Sequence, residues 1–180
     1  MRNLKRVLSL MVVLVLCLGL ASVASAASYD AHPDADEVSY DEAMDVMVAL
    51  GIFAGHDSGN LDPTGTLTRE QAAKIIAYIC LGESSAEALV AYSDPFDDVA
   101  ADRWSAGYIA YCVSAGIIYG RSDTIFAPEA NVTGYEFAKM LLCAIGYGAN
   151  SEFVGTYWAV NTASYGTLVG LFENSNDTSL

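Results

Sequence analysis

Two stretches of this 180-residue chain superpose without a gap at one offset of 65 residues, and that internal repeat restricts the fold more than any local pattern does. Gly51-Ile52-Phe53-Ala54-Gly55 matches Gly116-Ile117-Ile118-Tyr119-Gly120. In the same register Leu61-Asp62-Pro63 falls on Phe126-Ala127-Pro128, Leu67-Thr68 on Val132-Thr133, and Ala73-Lys74 on Ala138-Lys139. A third, partial copy follows at an offset of 54 residues, where Tyr157-Trp158-Ala159 echoes Arg103-Trp104-Ser105 and Val169-Gly170-Leu171-Phe172 echoes Ala115-Gly116-Ile117-Ile118. Asp177-Thr178 then falls on Asp123-Thr124, so the third unit is expected to be cut before its second helix.

Each unit reads as helix, loop, helix. Ser39-Tyr40-Asp41-Glu42 has the form of a capping box, followed by apolar Met44, Val46, Met47 and Leu50, and Gly51 stands where a left-handed residue ends a helix. Thr68-Arg69-Glu70-Gln71 opens the second helix with another capping box, and Gly82 closes it. The next pair is expected to start around Trp104 and at Thr133-Gly134-Tyr135-Glu136, ending at Gly116 and Gly146. An apolar stripe on a single helix pair has nothing to bury it, so neighbouring units must pack together, and a truncated third unit would leave part of the core uncovered. The expectation is an all-α chain with a leader at 1–26, a flexible lead at 27–38, repeats at 39–82 and 96–148, a linker at 83–95 holding a short helical turn near Ala86 to Ala91, and a partial repeat at 149–180.

The leader follows from Arg2, Lys5 and Arg6 before an apolar run too short to span a membrane, ending in Ala24-Ser25-Ala26, a signal-peptidase pattern with cleavage after Ala26. It holds three of the eight Lys and Arg and none of the 22 acids, so the remainder carries five basic residues against 22 acidic ones, a formal −17. A chain so acidic is unsuited to nucleic acid and to anionic lipid, and no membrane insertion is expected after cleavage. Cys80, Cys112 and Cys143 sit in apolar helical stretches and read as small core residues, with a disulfide between two of them the alternative in an exported protein. His32 and His56 lie in polar loops, and Asp57-Ser58-Gly59-Asn60-Leu61-Asp62 lacks the register of a calcium-binding helix-loop-helix, so no metal and no cofactor is expected. Gly-x-Ser-x-Gly, His-Glu-x-x-His and a glycine-rich phosphate loop do not occur, and the chain reads as a binding module without catalytic residues.

Phe96-Asp97-Asp98-Val99, Trp104, Gly116-Ile117-Ile118-Tyr119-Gly120, Ile125-Phe126-Ala127-Pro128 and Leu67-Thr68-Arg69-Glu70 together resemble the S-layer homology family, over roughly Val38 to Leu180. The resemblance implies a three-lobed helical bundle on the bacterial surface whose grooves hold a secondary cell-wall polysaccharide, often one carrying a pyruvate ketal. It implies attachment to the wall, of the chain itself or of a larger exoenzyme it anchors; self-assembly in a surface layer is the alternative. Arg69 is a candidate ligand contact on physical grounds too, since it follows the N-cap Thr68 at a helix N-terminus, where free N–H groups favour an anion and a guanidinium adds a planar fork; a solvated residue beside a simple cap is the competing reading. Trp104 and Trp158 either stack on a sugar face or anchor the start of each first helix in the core. Gly134 stands in Arg69's place in the second repeat, which puts the second groove in doubt, while Lys139 could contribute from the next turn.

Overall fold

A computed structural model describes residues 28–55 and 58–173. The leader, His56, Asp57 and the Asp177-Thr178 echo lie outside the described residues. The described part holds six α-helices and two short 3-10 helices, with no β-strand: α1 Asp41–Ala49, α2 Arg69–Leu81, α3 Glu83–Glu87, α4 Ala106–Ser114, α5 Gly134–Ala144 and α6 Trp158–Leu168.

The capping boxes at Thr68 and Thr133 form as read, each Thr side chain accepting from the N–H three residues on while Gln71 or Glu136 accepts from the Thr N–H. The box expected at Ser39 does not form; Tyr40 is the N-cap of α1 and makes no side-chain cap bond. All three first helices end alike. Gly51, Gly116 and Gly170 adopt φ of 67°, 70° and 75°, and paired reverse bonds (Gly116 N–H to Val113 O, Ile117 N–H to Cys112 O, and their counterparts) close a Schellman motif at each. The third partial repeat thus has the same helix end as the others, which the glycine register alone disclosed.

Packing runs between repeats more than within them. The second helix of the first repeat, α2, packs on α4 of the second, and α5 of the second packs on α6 of the third; α2 and α5 also touch. Ala72, Ala73 and Ala77 are fully buried on α2, and such short side chains allow its neighbours to approach closely around Ile76, Ile109, Cys112, Val99 and Phe126. At the α2 N-terminus the buried Glu70 receives two bonds from Arg103, at 2.8 and 2.9 Å, and one from the fully buried Ser105 at 2.6 Å, which ties α2 to the segment before α4.

Three local expectations are corrected. The lead at 27–38, expected as flexible, forms 3-10 helices at Tyr29–Ala31 and Ala35–Glu37, because Tyr29 is buried with Val48 and Leu61 in a small separate cluster and its hydroxyl bonds Asp41 at 2.7 Å. The linker's helical turn lies at Glu83–Glu87, earlier than expected, with Ala86 buried. Helix α4 starts at Ala106, so Trp104 precedes it, and at 54% exposure Trp104 is no core anchor. Cys112 is buried, Cys80 and Cys143 are half-buried, and all three are free thiols, so the disulfide alternative is not realised.

The loops before each second helix share a device that the repeat register hid. Asp98 accepts the N–H groups of Phe126 and Ala127 at 2.8 and 2.7 Å, and Asp34 accepts those of Leu61 and Asp62 at 2.9 and 2.7 Å. These braces hold Ala127 and Asp62 in left-handed backbone, φ 60° and 53°. For an alanine that conformation costs about 1–2 kcal/mol. Ala127→Gly is therefore expected to stabilise the chain by about 0.5–1 kcal/mol after glycine's extra unfolded-state entropy is deducted, seen as a higher urea midpoint at unchanged slope; an unmoved midpoint would show that the turn is unstrained.

Candidate functional site

The N-terminus of α2 does not hold the free donors that the sequence suggested. The N–H of Arg69 bonds Ala130 O at 2.9 Å and that of Glu70 bonds Pro128 O at 3.0 Å, while those of Gln71 and Ala72 go to Thr68. A loop of the second repeat covers this helix end, which closes it as an anion seat. Thr68 is a cap and nothing more in this geometry.

The side chain of Arg69 instead crosses into the second repeat. Its Nε donates to Phe126 O at 2.8 Å and its guanidinium to Tyr119 O at 2.6 Å, with the group stacked 4.5 Å from the centre of the Phe126 ring. Arg69 is 4% exposed, so it is neither a solvated surface residue nor an open fork. Burial, and then the charge of Arg121, lower its pKa.

Arg69 also lines a cavity of about 350 Å³ between the second and third repeats, a size in the range of small-ligand sites. The second repeat contributes Ile117 to Arg121, Glu136, Lys139 and Met140, and the third contributes Phe153 to Gly155 and Trp158. The Lys139 ammonium lies 5.5 Å from the centre of the Tyr119 ring and 5.6 Å from that of Trp158, between two aromatic faces that favour a cation. Burial lowers the Lys139 pKa. At the rim the half-exposed Arg121 pairs with Glu136 at 2.8 Å.

The structure thus brings Arg69 and Trp158 to one site and leaves Thr68 and Trp104 outside its lining. Trp104 packs at 6.4 Å on Tyr108 instead. Gly134 is also outside the lining, so its lack of a side chain does not weaken this cavity, which takes Arg69 from the first repeat and Arg121 from the second. Arg121 and Glu136 escaped the sequence reading as site residues. One signal could have found Arg121: only five Lys and Arg follow residue 26, and it stands directly after the repeated glycine motif, as Lys139 stands at a repeated lysine position. Three of those five, Arg69, Arg121 and Lys139, line this one cavity.

Residues 33–73 and 95–138 match the S-layer homology domain. The surface-layer 125 kDa protein of Lysinibacillus sphaericus is 39% identical over 116 residues, 62% of this chain and 9% of that protein. The middle cell wall protein of Brevibacillus brevis is 29% identical over 162 residues, 89% of this chain and 15% of that protein. An amylopullulanase of Thermoanaerobacterium thermosulfurigenes is 30% identical over 104 residues, 57% of this chain and 6% of that protein. The chain therefore spans between 6% and 15% of the length of these relatives. Two matched segments, joined through helix pairs that pack across the repeats, make this chain a member of the S-layer homology family with a place at the bacterial cell surface and wall.

Proposed function

We propose that the chain attaches non-covalently to the cell wall by seating an anionic sugar of a secondary cell-wall polysaccharide in the cavity between the second and third repeats. The observation that carries this reading is the convergence of three of the five cations that follow the leader on one aromatic-lined cavity, in a chain that carries a formal −17 in all after its leader. Cations so concentrated on an acidic protein favour a local anion while the rest of the surface repels polyanions. Trp158 offers an apolar face to a pyranose ring. Lys139 supplies a point charge for a carboxylate, such as that of a pyruvate ketal, and Arg121 a fork at the rim. Arg69 frames the cavity, its Nε donating to Phe126 O and its Nη2 to Tyr119 O. The similarity of this segment both to layer proteins and to a named amylopullulanase fits a shared attachment module better than a shared reaction.

Residues 27–180 are expected to be retained on purified walls that keep their secondary polymer and not on walls stripped of it. Lys139→Ala and Trp158→Ala should each weaken retention about tenfold while leaving the helical circular dichroism unchanged. Equal retention on stripped walls, or by both variants, would sink the reading.

A second reading, self-association within a surface layer, draws on α6 and its N-cap, where Tyr157, Val160 and Leu168 are 72%, 61% and 75% exposed. Sedimentation that shifts with concentration in the absence of wall polymer would favour it.

A further inference from the structure

The cavity contains one anion among its cations, and the internal repeat isolates what that anion is for. Glu136 closes the capping box of α5 by accepting the Thr133 N–H at 2.9 Å through one oxygen and pairs with Arg121 at 2.8 Å through the other. At the same position of the first repeat stands Gln71, which closes an equivalent box on Thr68 at 2.9 Å without a charge. Capping therefore does not require a carboxylate here. Arg121 in turn occupies the place that His56 holds in the first repeat, so the charged pair is present in one repeat and absent from the other. The Glu136 side chain is 17% exposed, and its charge acts on Arg69 and Lys139 as well as on Arg121.

We infer that Glu136 is a specificity-determining residue that tunes the cavity toward a singly charged anion over a doubly charged one. With three cations and Glu136 the lining carries a formal +2. Each negative charge on a ligand meets the same attraction from the cations and the same repulsion from Glu136. The second charge of a phosphate ester therefore gains less than it would beside the cations alone, while its desolvation cost is undiminished. The inference rests on the anion-binding reading of the cavity but commits to more than that reading needs.

The test is a two-dimensional NMR titration of residues 27–180 at pH 7.5, following the Trp158 indole N–H, with Trp104 as internal reference. Glucuronic acid serves as the monoanionic probe and glucose 6-phosphate as the dianionic one. Glu136→Gln keeps the cap acceptor, as Gln71 does natively. The ratio of glucose 6-phosphate affinity to glucuronate affinity is expected to rise about tenfold in Glu136→Gln relative to the unsubstituted chain, the effect of one charge removed at close range in a partly solvated site. A ratio unchanged within twofold overturns the inference, as does the absence of any Trp158 perturbation by either probe. An unchanged ratio with polymer-dependent wall binding intact would sink the role of Glu136 alone; loss of polymer dependence sinks the anion-binding reading itself.

Discussion

Arg69→Met is expected to lower the unfolding free energy by about 3 kcal/mol and, with it, the wall retention of the chain. Methionine fills a similar volume, so the loss reports the polar contacts rather than a cavity. In the folded state the substitution strips the Phe126 and Tyr119 carbonyls of the guanidinium that bonds them at 2.8 and 2.6 Å and removes the cation from above the Phe126 ring. Both carbonyls lie on the loop that shapes the cavity wall, so binding should fall because the wall relaxes, not because a ligand contact is deleted. Arg69→Lys, with one charged terminus in place of a planar fork, should recover less than half of the loss. Urea unfolding of the three proteins decides the matter. A loss below about 1 kcal/mol in Arg69→Met would show that these bonds form without stabilising the joint.

Glu70→Gln should cost about 2–3 kcal/mol at neutral pH and progressively less in acid. Burial alone would raise the Glu70 pKa, but the bonds from Arg103 and Ser105 outweigh it and hold the carboxyl below its ordinary 4.5. A carboxyl whose pKa is depressed by folding contributes stability that is complete above its unfolded value and is lost as pH falls through the folded value. The difference between the unsubstituted chain and Glu70→Gln should therefore be full at pH 7 and shrink below about pH 4. Unfolding free energies measured at pH 7, 5 and 3 test this. A difference that stays constant over that range would mean that Glu70 contributes through the geometry of its bonds and not through its charge.

Features set by backbone chemistry were legible in the sequence. The glycines at 51, 116 and 170 announced three helix ends because φ near +70° is costly for other residues, and the threonines at 68 and 133 announced two helix starts because a short hydroxyl reaches the third N–H. The Ser39 box failed because its register is degenerate: Tyr40 takes the cap position instead. The lead was misread because Tyr29 and Asp34 act through contacts 12 to 28 residues away, which no local pattern carries. For the site, Arg69 and Trp158 were singled out from motif position, but not that they meet. That meeting depends on the first repeat reaching past its own partner to the joint between the other two, and an offset in sequence does not reveal which joint a side chain serves. Trp104, identical in register to Trp158, was equally plausible and lies outside the cavity.

That cavity has walls from all three repeats, with Arg69, Lys139 and Trp158 each drawn from a different one. A molecule seated there acts as a crosslink between segments that the polypeptide joins only end to end. Occupancy then adds about 2.7 kcal/mol to the equilibrium cost of separating the repeats at a ligand concentration one hundred times its dissociation constant. Proteolysis through open states would slow by the same factor wherever reclosing outpaces cleavage. On the proposed binding, occupancy and longevity would be linked: a copy detached from its ligand would also be the copy more readily degraded.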